Sequence, residues 1–248
     1  MRHPAVLLSL LAVGCSYPQF IAKKTVEFTV PVAGVTELDA VTHNGPIHVT
    51  GVAAAEMISV RAEMSVRGMT QDEADANLHL LQVTNDVVAG KLQLRGKYPS
   101  GELNNRSPSF AFTVTMPGHL GVRLESHNGG LHVTGTEGPV ALTTHNGGIE
   151  GTVTGAPLVA TTHNGGIKLR LTSSKALDAA VTTHNGSVKV ALPAAANAML
   201  VAETHNGGIS APAGLQDART ARNRVQGRLG DGSGKLQVET HNGSISFD

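Results

Sequence analysis

The heptapeptide "TTHNGGI" occurs twice without change, at 143–149 and again at 161–167, and the fold turns on how it is read. Its core, His-Asn-Gly, starts at His43, His127, His145, His163, His184, His205 and His241. From His127 the steps between copies are 18, 18, 21, 21 and 36 residues, and the step from His43 to His127 is 84. A recurring step of this size marks a supersecondary period. The last step is twice the first, which predicts one degenerate unit around 223–232. The 84-residue step leaves room for units that lack the motif.

The flanks of the motif alternate. In "VRLESHNGGLHVTG", Val122, Leu124, Ser126, Leu131 and Val133 share one side; Arg123, Glu125, His127, His132 and Thr134 take the other. The same phase puts Leu38, Ala40, Thr42, Ile47 and Val49 inside, with Asp39, Val41, His43 and His48 outside. Val238, Thr240, Ile245 and Phe247 repeat it in the last copy. Period-two alternation means half-buried strands. In every copy the histidine falls on the polar side.

Asn-Gly between strands supplies two residues that tolerate positive φ, the mark of a sharp turn: Asn44, Asn128, Asn146, Asn164, Asn185, Asn206 and Asn242 stand at these turns. Two architectures use such a turn. In a β-solenoid each unit is one coil of roughly three short sides, and the motif is a corner stacking on itself every ~4.8 Å. In an antiparallel β-meander each motif is a two-residue hairpin. Pro46 stands where a hairpin needs a closing N–H, and proline has none. The preserved step also favours coils, which must match in length. The expected fold is all-β, a β-solenoid or β-helix-like repeat array with one short helix. In a stack, the asparagines would form an inward ladder of side-chain hydrogen bonds.

From about Met57 to Pro117 the repeat lapses. "TQDEADANLHLL" has Thr70 and Glu73 in capping-box spacing, with Ala74, Leu78 and Leu81 on one face, so a helix is expected near 71–81. Strands at 87–95 and 110–116 follow, separated by a polar loop at 97–109. These elements would cap the hydrophobic end of the array.

The amino terminus reads as a processing signal. "MRHPAVLLSLLAVGCS" has Arg2, a ten-residue apolar run at 5–14, and then Cys15; a bilayer span needs about 20 residues. Leu11-Ala12-Val13-Gly14-Cys15 resembles the lipobox of bacterial lipoproteins, with Ala12 where that family prefers Leu. The resemblance implies a signal peptide at 1–14, lipid attachment at Cys15, a short tether at 15–25 and a repeat domain at 26–248. Cys15 is the chain's single cysteine, so no intrachain disulfide can form. Ser16 in place of Asp favours the outer membrane.

Lys plus Arg and Asp plus Glu balance at 19 each, and aromatic residues make up 3% of the chain. That composition argues against nucleic acid as a partner and against aromatic stacking platforms. The repeated T-x-N-G-x-I, the single helix and the closing "LGDGSGKLQVETHNGSISF" (229–247) resemble the bacterial "putative adhesin" family of β-strand-repeat proteins, a domain of unknown function. The likeness runs from about Val26 to Asp248. It implies an extracytoplasmic β-helix-like domain, and the position before Asn-Gly commonly varies in that family, whereas this chain holds His there.

The function expected is therefore a lipid-anchored cell-envelope module, structural or adhesin-like, reaching the membrane through its anchor and meeting an envelope protein or surface ligand. Two alternatives stand beside it. Stacked histidines at 43, 127, 145, 163, 184, 205 and 241 carry the imidazoles that bind zinc, nickel or copper, with His48 and His132 near the same polar surface. A glycan-active β-helix enzyme is the other. It lacks a distinct cluster of Asp, Lys and Arg, and catalysis needs one constellation of different groups rather than seven copies of one triplet. The expectation is no enzyme, no catalytic residue and no required cofactor.

Overall fold

A computed structural model describes residues 19–53, 55–99, 101, 103, 106–173 and 175–248. The expected signal peptide and Cys15 lie outside the described residues. The chain opens with β1 (Phe20–Pro31), β2 (Glu37–Asn44), β3 (Ile47–Val52), β4 (Met57–Gly68), α1 (Gln71–His79), β5 (Gln82–Val88), β6 (Lys91–Lys97) and β7 (Ser109–Pro117). The regular coils follow: β8 (Gly121–Asn128), β9 (Leu131–Thr136), β10 (Val140–Asn146), β11 (Ile149–Val153), β12 (Leu158–Asn164), β13 (Ile167–Leu171), β14 (Asp178–Asn185) and β15 (Val188–Ala191). It closes with β16 (Ala198–Asn206), β17 (Ile209–Ser210), β18 (Gln216–Ala221), β19 (Arg224–Leu229), β20 (Lys235–Asn242) and β21 (Ile245–Phe247).

These strands form two sheets. Strands that lead into His-Asn-Gly lie in an eleven-stranded front sheet, ordered β5-β6-β2-β8-β10-β12-β14-β20-β16-β19-β18. Strands that leave it lie in a ten-stranded back sheet, ordered β1-β4-β7-β3-β9-β11-β13-β15-β21-β17. Coil stacks on coil in parallel register, Thr161 against Thr143 and Ile167 against Ile149. The motif is thus a corner between sheets, as Pro46 argues, and the meander is excluded. Each coil has two sides where three were expected, because one strand on each sheet uses up the 18–21 residues.

The core lies between the sheets and follows the alternation. Leu124, Leu131, Leu142, Ile149, Leu169 and Val181 are buried, each contributing roughly 1.5–3 kcal/mol on leaving water. Asp39 is the exception to the face pattern. It points outward but is 8% exposed, because Arg95 lies over it at 2.6 Å.

The order of coils departs from chain order at both ends. β2/β3 sits between β8/β9 and the motif-free coil β6/β7, so the 84-residue step does contain one coil lacking the motif. β20/β21 inserts between β14/β15 and β16/β17. The degenerate coil expected around 223–232 is instead an antiparallel hairpin, β18–β19, laid against β16.

At the other end β1, β4 and α1 cap the array, with β5 along the front sheet's edge. The helix starts where the capping box predicts: Thr70 Oγ1 accepts from Glu73 N, and Glu73 accepts from Met69 N at 2.7 Å. That backbone bond, reinforced by Arg106, holds the Glu73 carboxyl below the usual carboxylate range. The strand expected at 87–95 divides into β5 and β6 at Ala89-Gly90, where φ is 49° and 78°.

Candidate functional site

Four residue types at the corner have four different partners. The hydroxyl residue before the histidine (Thr42, Ser126, Thr144, Thr162, Thr183, Thr204 or Thr240) is buried in every copy. Thr42 donates to Gly45 of its own corner at 2.9 Å. In the other copies the hydroxyl donates to the carbonyl of a motif glycine in the neighbouring coil: Thr144 to Gly129, Thr162 to Gly147 and Thr183 to Gly165, each at 2.9 Å. Thr240 and Thr204 do the same to Gly186 and Gly243, at 2.8 Å. A buried hydroxyl must be bonded, so an inward Thr or Ser in all seven copies was the signal for this rung. The sequence reading treated these residues as core contacts only.

The asparagines form a continuous amide ladder. Nδ2 of Asn128, Asn146, Asn164 and Asn185 donates to Oδ1 of the preceding motif asparagine at 2.8–2.9 Å. Asn242 donates to Asn185 at 2.7 Å, and Asn206 to Asn242 at 2.8 Å. Asn44 closes one end by donating to Pro108 O at 3.0 Å. The ladder was expected to face inward. It runs along the exposed outer edge of the corner, because the inward place is taken by the threonine.

The motif glycines serve close approach more than turn conformation. Only Gly45 among them has positive φ, at 124°. A Cβ on Gly129, Gly147, Gly165, Gly186, Gly207 or Gly243 would instead overlap the carbonyl of the glycine in the next coil. The following position has more room, with nothing within 4 Å at Gly208 and a carbonyl at 3.3–3.5 Å at Gly130, Gly148 and Gly166, and there Pro46, Ser187 and Ser244 stand where other copies carry a second glycine.

The histidine is left with solvent on one side and other histidines above and below. His43, His127, His145, His163, His184, His241 and His205 form one exposed column in that spatial order. Adjacent ring centroids are 4.5–4.8 Å apart. The rings are edge-on at the first two steps, at 77° and 62°, and stacked within 20° thereafter. His48 and His132 do not join the column. They pair with each other at 5.6 Å on the back sheet, beyond the corner.

Two nitrogens on one zinc lie at most about 4.2 Å apart, since each bond is about 2.1 Å. Among the described residues no group of three or more His, Cys, Asp or Glu is placed to hold one.

Beside the column runs an open groove of about 740 Å³ on the front sheet. Its floor is the residue two places before each histidine: Val41, Glu125, Thr143, Thr161, Thr182 and Glu239. Over the three central coils this floor is threonine alone. At the far end the groove passes into a polar cleft where Glu203 pairs with Arg224. A separate shallow cleft on the back sheet carries Lys168, Arg170 and Lys189, the last bonded to Asp248 at 2.6 Å. The groove offers repeated hydrogen-bonding groups and no nucleophile, base and acid in mutual contact.

The Toastrack DUF4097 family model matches residues 9–247, nearly the whole chain. The chain belongs to this family. No curated protein matches the sequence. Among solved structures, one described as a "putative cell adhesion protein" from Clostridium sporogenes covers 91% of this chain and 99% of its own, at 13% identity and a TM-score of 0.52. A "putative adhesin" from Bacteroides fragilis covers 92% and 98%, at 13% identity and a TM-score of 0.39. At such identity the first likeness speaks to the fold alone. It agrees with the β-repeat array and one helix expected from the sequence. In this Toastrack chain the Asn-Gly corner carries a histidine column.

Proposed function

We propose that this Toastrack domain is a lipid-anchored, envelope-exposed interaction module whose working surface is the histidine-threonine groove of the front sheet. The observation that carries this reading is the groove itself: a repeated, solvent-facing surface spanning six coils, whose histidines hold no rung of the fold. The rungs that hold the corner together are Thr, Asn and Gly; histidine contributes none of their hydrogen bonds. The lipobox resemblance at Leu11–Cys15 supports attachment to a bacterial membrane, and the array begins at Phe20, within a few residues of that cysteine. The described residues hold no helix long and apolar enough to cross a membrane, so in this reading Cys15 supplies the attachment.

Two measurements on the expressed full chain test the reading separately. Membrane fractionation of wild type and Cys15→Ala tests the anchor: the variant moves to the soluble fraction, and a variant that stays with the membrane ends that part. For the groove, labelled Cys15→Ala protein is titrated onto cells lacking the chain, beside the same protein with His145, His163 and His184 changed to serine. Saturable binding weakened by the triple change is expected. Equal binding removes the groove as the working surface.

Metal binding by the column is the alternative, since its imidazoles stand 4.5–4.8 Å apart in one exposed row. Calorimetry with zinc, nickel and copper is expected to give the same weak heats for both proteins. A tight transition lost in the triple variant would favour the metal reading instead.

A further inference from the structure

We infer that β1 is a docking edge for a second copy of this chain, pairing antiparallel with its own counterpart about Thr25 and joining two back sheets into one. The four sheet edges differ. β17 is two residues long, β18 is broken by a register shift at Gln216/Arg219, and β5 has seven residues. β1 is twelve residues long and pairs with β4 in unbroken register from Phe20 to Pro31, and no strand among the described residues pairs with its other side, a row of backbone donors and acceptors.

Burial falls off at this edge. On β4 the inward residues Ile58, Val60, Ala62 and Met64 are at most 2% exposed. Their neighbours Val26, Phe28 and Val30 on β1 pack on the same core but stay half-buried, and no further strand among the described residues pairs beyond them. A further strand in the same sheet would cover that row.

The sequence of β1 suits itself as that strand. A twofold pairing must keep inward rows on one side, so only registers centred on a residue are allowed. Centred on Thr25, Lys23 faces Glu27 twice on the outer face; on the inner face Ala22 faces Phe28 twice, and Lys24 at the row's exposed end lays its alkyl stem against Val26. Centring on Lys23, Lys24 or Glu27 sets like charges directly opposite each other, and centring on Val26 matches no charges. Neither Lys23 nor Lys24 has an ion-pair partner among the described residues, while Glu27 already holds Arg61 at 3.1 Å.

The test uses the full chain with Cys15→Ser, so that no acyl group drives association. Sedimentation equilibrium from about 1 µM to about 1 mM should show a monomer–dimer equilibrium. Lys23→Glu alone and Glu27→Lys alone should each raise the dissociation constant about tenfold, through lost pairs and new like-charge contacts. The double variant Lys23→Glu/Glu27→Lys should return it to within about threefold of the parent. In the same background, Thr25→Cys should form a disulfide dimer under mild oxidation, since directly opposed residues lie about 4.5–5.5 Å apart. Thr29→Cys, which would face Ile21, should not. A monomer throughout, singles that dimerise as tightly as the parent, a swap that fails to restore, or equal crosslinking at both positions each overturns the inference.

Discussion

The three central coils, β10/β11 to β14/β15, lie in space in the order in which they are synthesised; the coils at either end do not. Yet the rungs are the same throughout. Asn164 bonds Asn146 at 2.9 Å across 18 residues, and Asn206 bonds Asn242 at 2.8 Å across 36 residues and in the reverse direction along the chain. A Thr-x-Asn-Gly edge therefore accepts any neighbour that carries the same edge, and the rungs do not encode order. Order comes from the pieces that break the repeat. The hairpin β18–β19 takes one side of β16 through the antiparallel register Ala198 to Leu229, leaving β20 only the side toward β14. At the other end β6/β7 carries no motif and takes the outer side of β2/β3.

The strongest way to break this comparison is to insert a methyl group where coils touch. In Gly165→Ala the new Cβ meets the carbonyl of Gly147 with coils on both sides, so neither neighbour can retreat. The expected loss is about 3 kcal/mol, the upper range for overpacking, read as a fall in the denaturant midpoint. Gly207→Ala meets Gly243 in the same way, but its coil is terminal and can fray. Hydrogen exchange should then rise in β16 and β17 while β10 to β15 stay protected. Gly208→Ala has open space and should change stability by less than about 0.5 kcal/mol. Equal losses at 165 and 208 would show that turn conformation, and not stacking, requires the glycine.

A smaller effect is expected from the threonine rung. Thr162→Val keeps the shape and leaves the Gly147 carbonyl without its side-chain donor, at a cost of about 1–2 kcal/mol. Asn164→Ala removes two ladder bonds at an exposed corner, where water replaces them, and should cost about 1 kcal/mol or less. If the asparagine change proves the costlier of the two in urea titrations, the corner is held from outside and the burial argument fails.

The reach of the sequence follows from the same physics. Period and face could be read directly, because alternation about His-Asn-Gly is local: Leu124, Ser126 and Leu131 are buried as expected. The helix was readable from Thr70 and Glu73, whose capping contacts span only a few residues. The place of β20 could not be read, since its two neighbours present identical edges and the choice rests on a hairpin that resembles a worn repeat. Nor could the reason for glycine, which lies in the carbonyl of another coil's glycine, 18 residues away for Gly165 and 84 for Gly129, rather than in its own φ. At the site, the outward column followed from phase alone. His48 and His132 were misplaced beside it because phase says "outward" without saying from which sheet.

The smallest expected effect belongs to the histidines, and it bears most directly on what the column is for. At pH 8, changing His145, His163 and His184 to serine should alter the melting temperature little, because these exposed rings hold no rung of the ladder. The groove floor beside these rings is Thr143, Thr161 and Thr182, so the rings' closest neighbours along the column are one another, at 4.8 Å between centroids. A clear fall in the triple variant's melting temperature would mean that ring-on-ring contact helps hold the coils together, and that the column is part of the scaffold rather than a surface laid over it.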